Sequence, residues 1–294
     1  MTSARARMLA AGLALVLLAG GCSSSGTGAD EPTRSASSSV DAATVSGRAT
    51  AHRVRLPPAG GVFDYQLGGA YPPRADVRIV DRDRTATPAR GVYSVCYVNA
   101  FQTQPEENGW WRAHHRSLLL RSGGRYVQDP DWPGEYILDT STPAKRTALL
   151  AIVGRWFDGC ARAGFSAVEP DNLDSWTRKG VHGAITRADD VAFARALVAR
   201  AHARGLAVAQ KNAADLTTAR IGFDFAVVEE CEVYRECGTY TAHYGRRVIE
   251  IEYIDNGRAA FARACKARGR SISVILRDRD VVPRGDRDYY YRHC

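Results

Sequence analysis

Eight short apolar runs, most of them ending beside polar side chains, constrain what this chain can fold into. They are Val62–Leu67, Val77–Val80, Val92–Val98, Gly164–Val168, Leu206–Gln210, Phe223–Val228, Val248–Ile251 and Ile272–Leu276. Their β-branched and aromatic residues suit a pleated, buried strand. Helical patterns separate several of them. Pro143 fits a helical first turn, and Ala144–Ala163 carries Leu149, Ile152, Val153, Trp156 and Phe157 at helical spacing before stopping at Gly164. Thr186-Arg187-Ala188-Asp189 opens another helix like a capping box, and that helix runs to Arg204 before Gly205. Strand and helix in alternation predict an α/β protein with a parallel sheet, and eight strands close best as a (β/α)8 TIM barrel. An open, doubly wound sheet is the rival, but no G-x-G-x-x-G follows an early strand, so nucleotide binding has no support.

In such a barrel the active site sits where the strands end. Gln66, Asp81, Asn99, Asp171, Lys211, Asn212, Glu229, Glu252 and Asp278 all fall at or just past those ends. The densest stretch is Val168–Trp176, V-E-P-D-N-L-D-S-W, which brings Glu169, Asp171 and Asp174 to one strand mouth. Carboxylates this close shift one another's pKa values, as acid–base chemistry requires, although a helix cap or a calcium-type turn uses the same residues. Tyr65, Tyr97, Trp176 and Tyr253 lie among the polar groups. Acids and amides to bind hydroxyl or amino groups, with flat rings to stack on sugar faces, suit a carbohydrate, and two carboxylates across a cleft can cleave a glycosidic bond. The long insertion after the third strand, Ala100–Thr142, holds Trp110, Trp111, Trp132 and the turn signals Gly123-Gly124 and Asp129-Pro130-Asp131, and reads as irregular. An insertion of that length is expected to form a lid or a cleft wall. No G-x-S-x-G elbow is present, so serine hydrolase chemistry has no support.

The N-terminus reads as a leader: Arg5 and Arg7, the apolar run Met8–Ala19, then Gly20-Gly21-Cys22. Small residues before Cys22 resemble the bacterial lipobox, which implies cleavage there and a lipid on Cys22; an ordinary leader is the alternative. The expected organisation is a signal peptide at 1–21, a flexible linker at 22–56 poor in large apolar residues, and a barrel at 57–294. The protein is expected on the outer face of the cell membrane or secreted, as a monomer. The formal charge is +8, of which Arg5 and Arg7 leave with the leader. The remaining arginines are scattered and accompany no nucleic-acid motif, so no nucleic-acid partner is expected. The six cysteines beyond Cys22 make an even count in an exported chain, which predicts disulfides. Proximity favours Cys231 with Cys237 and Cys265 with Cys294, leaving Cys96 for Cys160. No C-x-x-C or H-x-x-x-H accompanies them, so neither a metal site nor a cofactor is expected.

Five segments carry a family resemblance: F-D-Y-Q-L-G-G from Phe63 to Gly69, G-F-S-A-V-E-P-D-N-L-D from Gly164 to Asp174, Lys211-Asn212, F-A-V-V-E-E-C from Phe225 to Cys231, and I-E-I-E-Y from Ile249 to Tyr253. In order and together they resemble glycoside hydrolase family 114, the endo-α-1,4-polygalactosaminidase-like barrels. The resemblance implies metal-free hydrolysis of α-1,4-linked galactosamine polymers or a related extracellular polysaccharide. It places Asp171 as nucleophile or base and Glu229 as general acid. The family often has Asn before that glutamate and Gln after it; here Val228 and Glu230 stand instead, which makes Glu230 a competitor. Substrate contacts are expected from Asp64, Tyr65, Gln66, Asp81, Tyr97, Asn172, Asp174, Lys211, Asn212, Glu252 and Tyr253. Asp64 and Gln66 could equally satisfy loop backbone, Asp81 could cap a helix, and Lys211 could be a structural partner of Glu169 or Glu229. Among the histidines only His182 stands near the key strand. A non-catalytic sugar-binding barrel and a hydrolase of another cell-wall glycan are the alternatives.

Overall fold

A computed structural model describes residues 54–294; the leader, Cys22 and the linker as far as residue 53 lie outside the described residues. In chain order the strands are β1 (Phe63–Gln66), β2 (Ile79–Asp83), β3 (Tyr93–Asn99), the small hairpin β4 (Arg121–Ser122) and β5 (Arg125–Tyr126), β6 (Ala167–Asp171), β7 (Ala207–Lys211), β8 (Phe225–Glu229), β9 (Val248–Tyr253), β10 (Ser273–Arg277) and β11 (Tyr291–His293). The main sheet runs β1-β2-β3-β6-β7-β8-β9-β10-β11, parallel up to β10 and antiparallel only at β11. Its ends curl toward each other. The Tyr291 hydroxyl donates to the Phe63 carbonyl at 2.8 Å, and Gly68 N–H donates to the Val281 carbonyl at 3.2 Å. The result is a nearly closed barrel, with β11 set into the seam.

Strand alternation sorts the core into two layers. Phe63, Tyr65, Ile79, Val95, Phe225, Val227, Ile249, Ile251 and Ile275 fill the interior, with Ala167, Ala207 and Ala209 leaving room for the large rings. Val98, Val168 and Val208 point outward against the helices α2 (Pro143–Ala163) and α3 (Arg187–His202), meeting Phe157, Phe193 and Leu197. Each fully buried Leu or Phe of this layer stabilises by about 1.5–3 kcal/mol. The expected caps are present: Thr142 accepts from Lys145 N–H, Gly164 ends α2 at φ 97°, and Thr186 with Asp189 forms a capping box.

The helical layer is thinner than strict strand–helix alternation predicts. No helix links β1 to β2 or β2 to β3, a short 3-10 turn at Ala214–Thr218 stands between β7 and β8, and α4 (Cys237–Tyr244) and α5 (Ala259–Arg268) are brief. The insertion after β3 is not irregular. It holds α1 (Asn108–His114) and the β4–β5 hairpin, and it buries Phe101, Trp111, Leu118, Leu119 and Leu138 against the barrel's outer core, with the Trp111 ring edge-on to Trp156. Ahead of the first strand, Val54 packs on the inner cluster and Tyr93 donates to the Arg55 carbonyl at 2.7 Å. Disulfides join Cys96 to Cys160, Cys231 to Cys237 and Cys265 to Cys294. They occupy the thiols a zinc site would need.

Candidate active site

The last inward positions of four adjacent strands place Asp171 (β6), Lys211 (β7), Glu229 (β8) and Tyr253 (β9) around one hollow. Immediately after the first three, the chain turns away through a left-handed residue: Asn172 (φ 61°), Asn212 (φ 46°) and Glu230 (φ 59°). Asparagine tolerates that conformation; glutamate does so at an energetic cost that such sites often carry. The sharp exits leave the three strand ends open upward.

Lys211 organises the floor. Its side chain is 2% exposed, and its Nζ lies 3.0 Å from Glu169, 3.3 Å from Asp171 and 3.2 Å from Glu229, while donating to the Tyr65 hydroxyl at 3.1 Å. Burial alone would push the ammonium toward neutrality, but Asp171, Glu229, Tyr65 and Glu169 outweigh it and hold the lysine charged. Nζ thus places one positive charge among three carboxylates. Below it, Tyr65 donates to Glu169 at 3.0 Å.

The two upper carboxylates differ in their surroundings. Asp171 accepts from the Tyr97 hydroxyl at 2.8 Å and from Asn172 N–H at 2.7 Å. Burial would raise its pKa; Lys211, the Asn172 amide and the Tyr97 hydroxyl prevail and hold it below the ordinary aspartate value. Glu229 accepts from Asn212 Nδ2 at 2.9 Å and from the Tyr253 hydroxyl, while its own N–H donates to Asn212 Oδ1 at 2.8 Å. Asp171 keeps 19% of its side chain exposed and Glu229 23%, both toward the same cleft. That cleft measures about 1210 Å³, and its walls come from loops: Asp129, Asp131, Trp132 and Glu135 from the insertion after β3, Asp174 and Arg178 after β6, Tyr234 and Glu236 after β8, and Arg279 after β10. An ionised carboxylate and a second carboxylate, held apart by one ammonium at the base of an acidic cleft, can attack and protonate a bond laid across them.

Of the residues singled out in the sequence, Tyr65, Tyr97, Asp171, Asn172, Asp174, Lys211, Asn212, Glu229 and Tyr253 line this cleft. Asp64, Gln66, Asp81 and Glu252 do not, and strand parity explains three of them. Asp64 and Gln66 flank the inward Tyr65 and point outward, where Asp64 accepts from Gln66 at 2.8 Å and from the Tyr71 hydroxyl at 2.6 Å, and Gln66 accepts from Arg82 at 2.9 Å. Glu252 precedes the inward Tyr253 and also faces out, accepting the Glu232 N–H at 3.0 Å. Asp81 points inward but stays fully buried under the floor, beside Glu169. Trp176 packs into the outer core rather than the cleft. His182 is exposed on a loop away from it. Glu230 reaches the cleft wall, but Arg279 grips it at 2.7 and 3.0 Å, which leaves Glu229 as the carboxylate over Lys211.

Sequence reasoning missed Glu135, Arg178, Tyr234 and Arg279. Tyr234 and Trp132 are 66% and 52% exposed, unusual for large rings facing a cleft. The Asp-Pro-Asp turn beside Trp132 and the paired cysteines around Tyr234 were the available signals.

The model of glycoside-hydrolase family GH114 matches residues 43–294. Among solved structures, Aspergillus fumigatus Ega3 in complex with galactosamine is similar at TM-score 0.67 and 23% identity, over 82% of this chain and 98% of that one. The glycoside hydrolase domain of PelA from Pseudomonas aeruginosa is similar at TM-score 0.52 and 15% identity, over 76% and 96%. No curated protein sequence matches the chain.

Proposed function

The chain belongs to glycoside-hydrolase family GH114 and is a glycoside hydrolase, and on that premise we propose that it cleaves α-1,4-galactosaminidic or closely related bonds inside an extracellular polysaccharide, with Asp171 as nucleophile and Glu229 as general acid. The observation that carries this reading is the shared lysine: two carboxylates, 3.3 and 3.2 Å from one buried ammonium, both open to one acidic cleft. Asp171 is held ionised, so it takes the nucleophile's part, and Glu229 is the other carboxylate within reach of the leaving oxygen.

In the first step an Asp171 oxygen bonds to the anomeric carbon while Glu229 gives its proton to the departing glycosidic oxygen, so the bond breaks without releasing an alkoxide. Glu229, now a carboxylate, then takes a proton from water, which attacks the anomeric carbon and frees Asp171. Two contacts of 3.3 and 3.2 Å to one nitrogen hold both carboxylates against the same ammonium, and the two-step route through a covalent intermediate retains configuration. Lys211 keeps Asp171 anionic until attack, and Tyr97 and Tyr253 fix the two carboxyl orientations.

For the substrate, the support is the cleft's acidity and the galactosamine held by Ega3. Trp132 and Tyr234, from opposite loops, offer faces for sugar rings on either side of the cleavage point. The leader pattern supports an exported chain tethered through Cys22. Incubating the purified domain with α-1,4-galactosamine oligomers is expected to yield shorter chains, and Asp171→Asn and Glu229→Gln are each expected to abolish this. An intact oligomer with the wild-type domain, or turnover retained in both variants, would overturn the proposal.

A further inference from the structure

The acids of the cleft are not equivalent once their partners are assigned. Asp171 and Glu229 share Lys211; Asp129 and Asp174 share Arg178; Glu230 is held by Arg279 and Asp215 by Arg187. Asp131, on the exposed turn, and Asp280 are solvated, and Glu236 accepts from the Tyr240 hydroxyl. Glu135 is different. It is half-buried in the wall, and among the described residues no cation lies within ion-pair distance of it.

Glu135 is nevertheless held in place. Its Oε2 accepts from Asn99 Nδ2 at 2.8 Å, and Asn99, itself 5% exposed, accepts from Gln102 N–H at 3.2 Å and from Asn172 Nδ2 at 3.0 Å. Asn172 is the residue next to Asp171, so one chain of hydrogen bonds fixes Glu135 relative to the carboxylate over which a sugar must lie. Among the described residues Oε1 has no hydrogen-bond partner, and it belongs to a cleft-lining side chain. A fixed, half-buried carboxylate that meets no cation is stabilised by a proton or by a positive ligand.

Resting on the hydrolase reading above, we propose that Glu135 is the specificity residue that binds the ammonium group of an amino sugar, so that the enzyme selects free-amine over N-acetylated polymer. An ammonium at this point supplies the missing countercharge and donates to Oε1. An acetamide offers a neutral N–H and a bulkier group, and leaves the carboxylate uncompensated.

The groups acting on Glu135 are Asp171 from β6, Asp129 from its own segment and Glu106 from the turn before α1, with Asn99 as the neutral donor. Burial is the largest influence and raises its pKa; Asn99 opposes this, the three acids add to it, and the result is about 7. Near neutral pH a substrate ammonium therefore displaces a proton from Glu135, so binding of the amine weakens as pH falls through that value.

The test compares wild type with Glu135→Gln, which keeps the Asn99 contact and the side-chain volume. Both are assayed on α-1,4-galactosamine oligomers, with galactosamine and N-acetylgalactosamine oligomers as competing inhibitors. The expected result for Glu135→Gln is a roughly 10–100-fold loss of kcat/KM on the amine substrate, carried mainly by KM, with binding of the N-acetylated oligomer changed by less than about threefold. The rise of KM below neutral pH should disappear with the carboxyl group. Glu135→Asp, which draws the carboxylate away from Asn99, should fall between the two. Equal losses for both ligands, or an unchanged preference for the amine, would overturn the inference while leaving the hydrolase assignment standing. A wild-type domain inactive on galactosamine oligomers would overturn both.

Discussion

Two buried polar clusters meet at β1, and they do opposite things. Inside the barrel, Tyr65, Glu169, Asp171 and Glu229 surround Lys211. At the seam, where the first two connections carry no helix, the outward Asp64, Gln66 and Arg82 meet Tyr71 and Arg277, the last inward position of β10: Arg82 donates to Gln66 and the Tyr71 carbonyl, and Arg277 donates to the Tyr71 hydroxyl at 3.0 Å. Asp64, Tyr65 and Gln66 are consecutive, so one residue step separates floor from seam. Both clusters are charged and buried, so neither property marks a site. The seam is sealed, with Asp64 at 1% and Arg277 at 0% exposure, and its carboxylates Asp64 and Asp278 are matched by the guanidinium groups of Arg82 and Arg277. The floor sets three carboxylates against one ammonium and opens upward. Excess charge of one sign with a path to a ligand is what separates function from scaffold here.

The largest effects are expected to fall on rate at the floor and on stability at the seam. Asp171→Asn and Glu229→Gln should each lower kcat by about 10³-fold or more, with thermal unfolding nearly unchanged. Arg277→Met in the seam should do the reverse. Removing one partner of a buried pair destabilises by about 3–5 kcal/mol, seen as an earlier denaturant midpoint, while each folded molecule keeps its turnover. Denaturant titrations and active-site-normalised rates together test this; a seam variant that folds normally and is inactive would dissolve the distinction.

Lys211→Met should come next, with a loss of activity of about 10²-fold and a displaced pH profile. Asp171 sits below the ordinary aspartate range because Lys211 leads the influences that oppose burial. Without the ammonium its ionisation needs a higher pH, so the acid limb of kcat/KM moves upward. The same depressed pKa contributes stability above the unfolded-state value of about 3.9 and loses it as pH falls further. An acid limb that stays in place would show that Lys211 is scaffold, like Arg277.

How legible these two clusters are in the sequence follows from where their residues sit. The floor is readable because a strand end fixes its residue: Asp171, Lys211, Glu229 and Tyr253 each close a β-rich run. Asp64, Gln66 and Glu252 also sit beside strand ends, but a one-residue change of parity turns them through the wall, and proximity to a strand end does not reveal parity. Glu135 meets Asn99 across 36 positions of a folded insertion, and Arg279 meets Glu230 across 49. Such pairings are set by long-range packing, which no local pattern records. The absent early helices belong to the same class, since Pro72-Pro73 signals a break without saying that polar side chains will cover the sheet instead.

Glu252 lies buried on the outer wall. One of its oxygens is buried without a partner, and burial lifts its pKa to about 7 despite the Glu232 amide. Between the unfolded value of about 4.3 and that pH, the folded state keeps a proton the unfolded state has lost, so stability falls as pH rises. Glu252→Gln should remove this slope and stabilise the domain at pH 8 by up to about 3 kcal/mol, with little gain at pH 4. A variant that gains equally at both pH values, or loses catalytic rate, would place Glu252 in a different role.

The smallest effect is expected at Asp81, directly beneath the floor. Neither of its carboxyl oxygens has a partner, and Glu169 Oε2 beside it has none either, although all three atoms are buried. Two adjacent carboxyl groups in that position are satisfied together when Asp81 carries a proton and donates it to Glu169. Burial, reinforced by Glu169, pushes the Asp81 pKa well up and keeps the acid neutral. Asp81→Asn supplies an N–H in place of that O–H and leaves the charge around Lys211 unaltered. Its kcat/KM should therefore stay within about twofold of wild type from pH 5 to 8, because the change in hydrogen bonding is isosteric. Were Asp81 an anion instead, the substitution would strip a negative charge from under Lys211, deepen the positive potential at Asp171 and draw the acid limb to lower pH, and that displacement is the measurement that decides the matter.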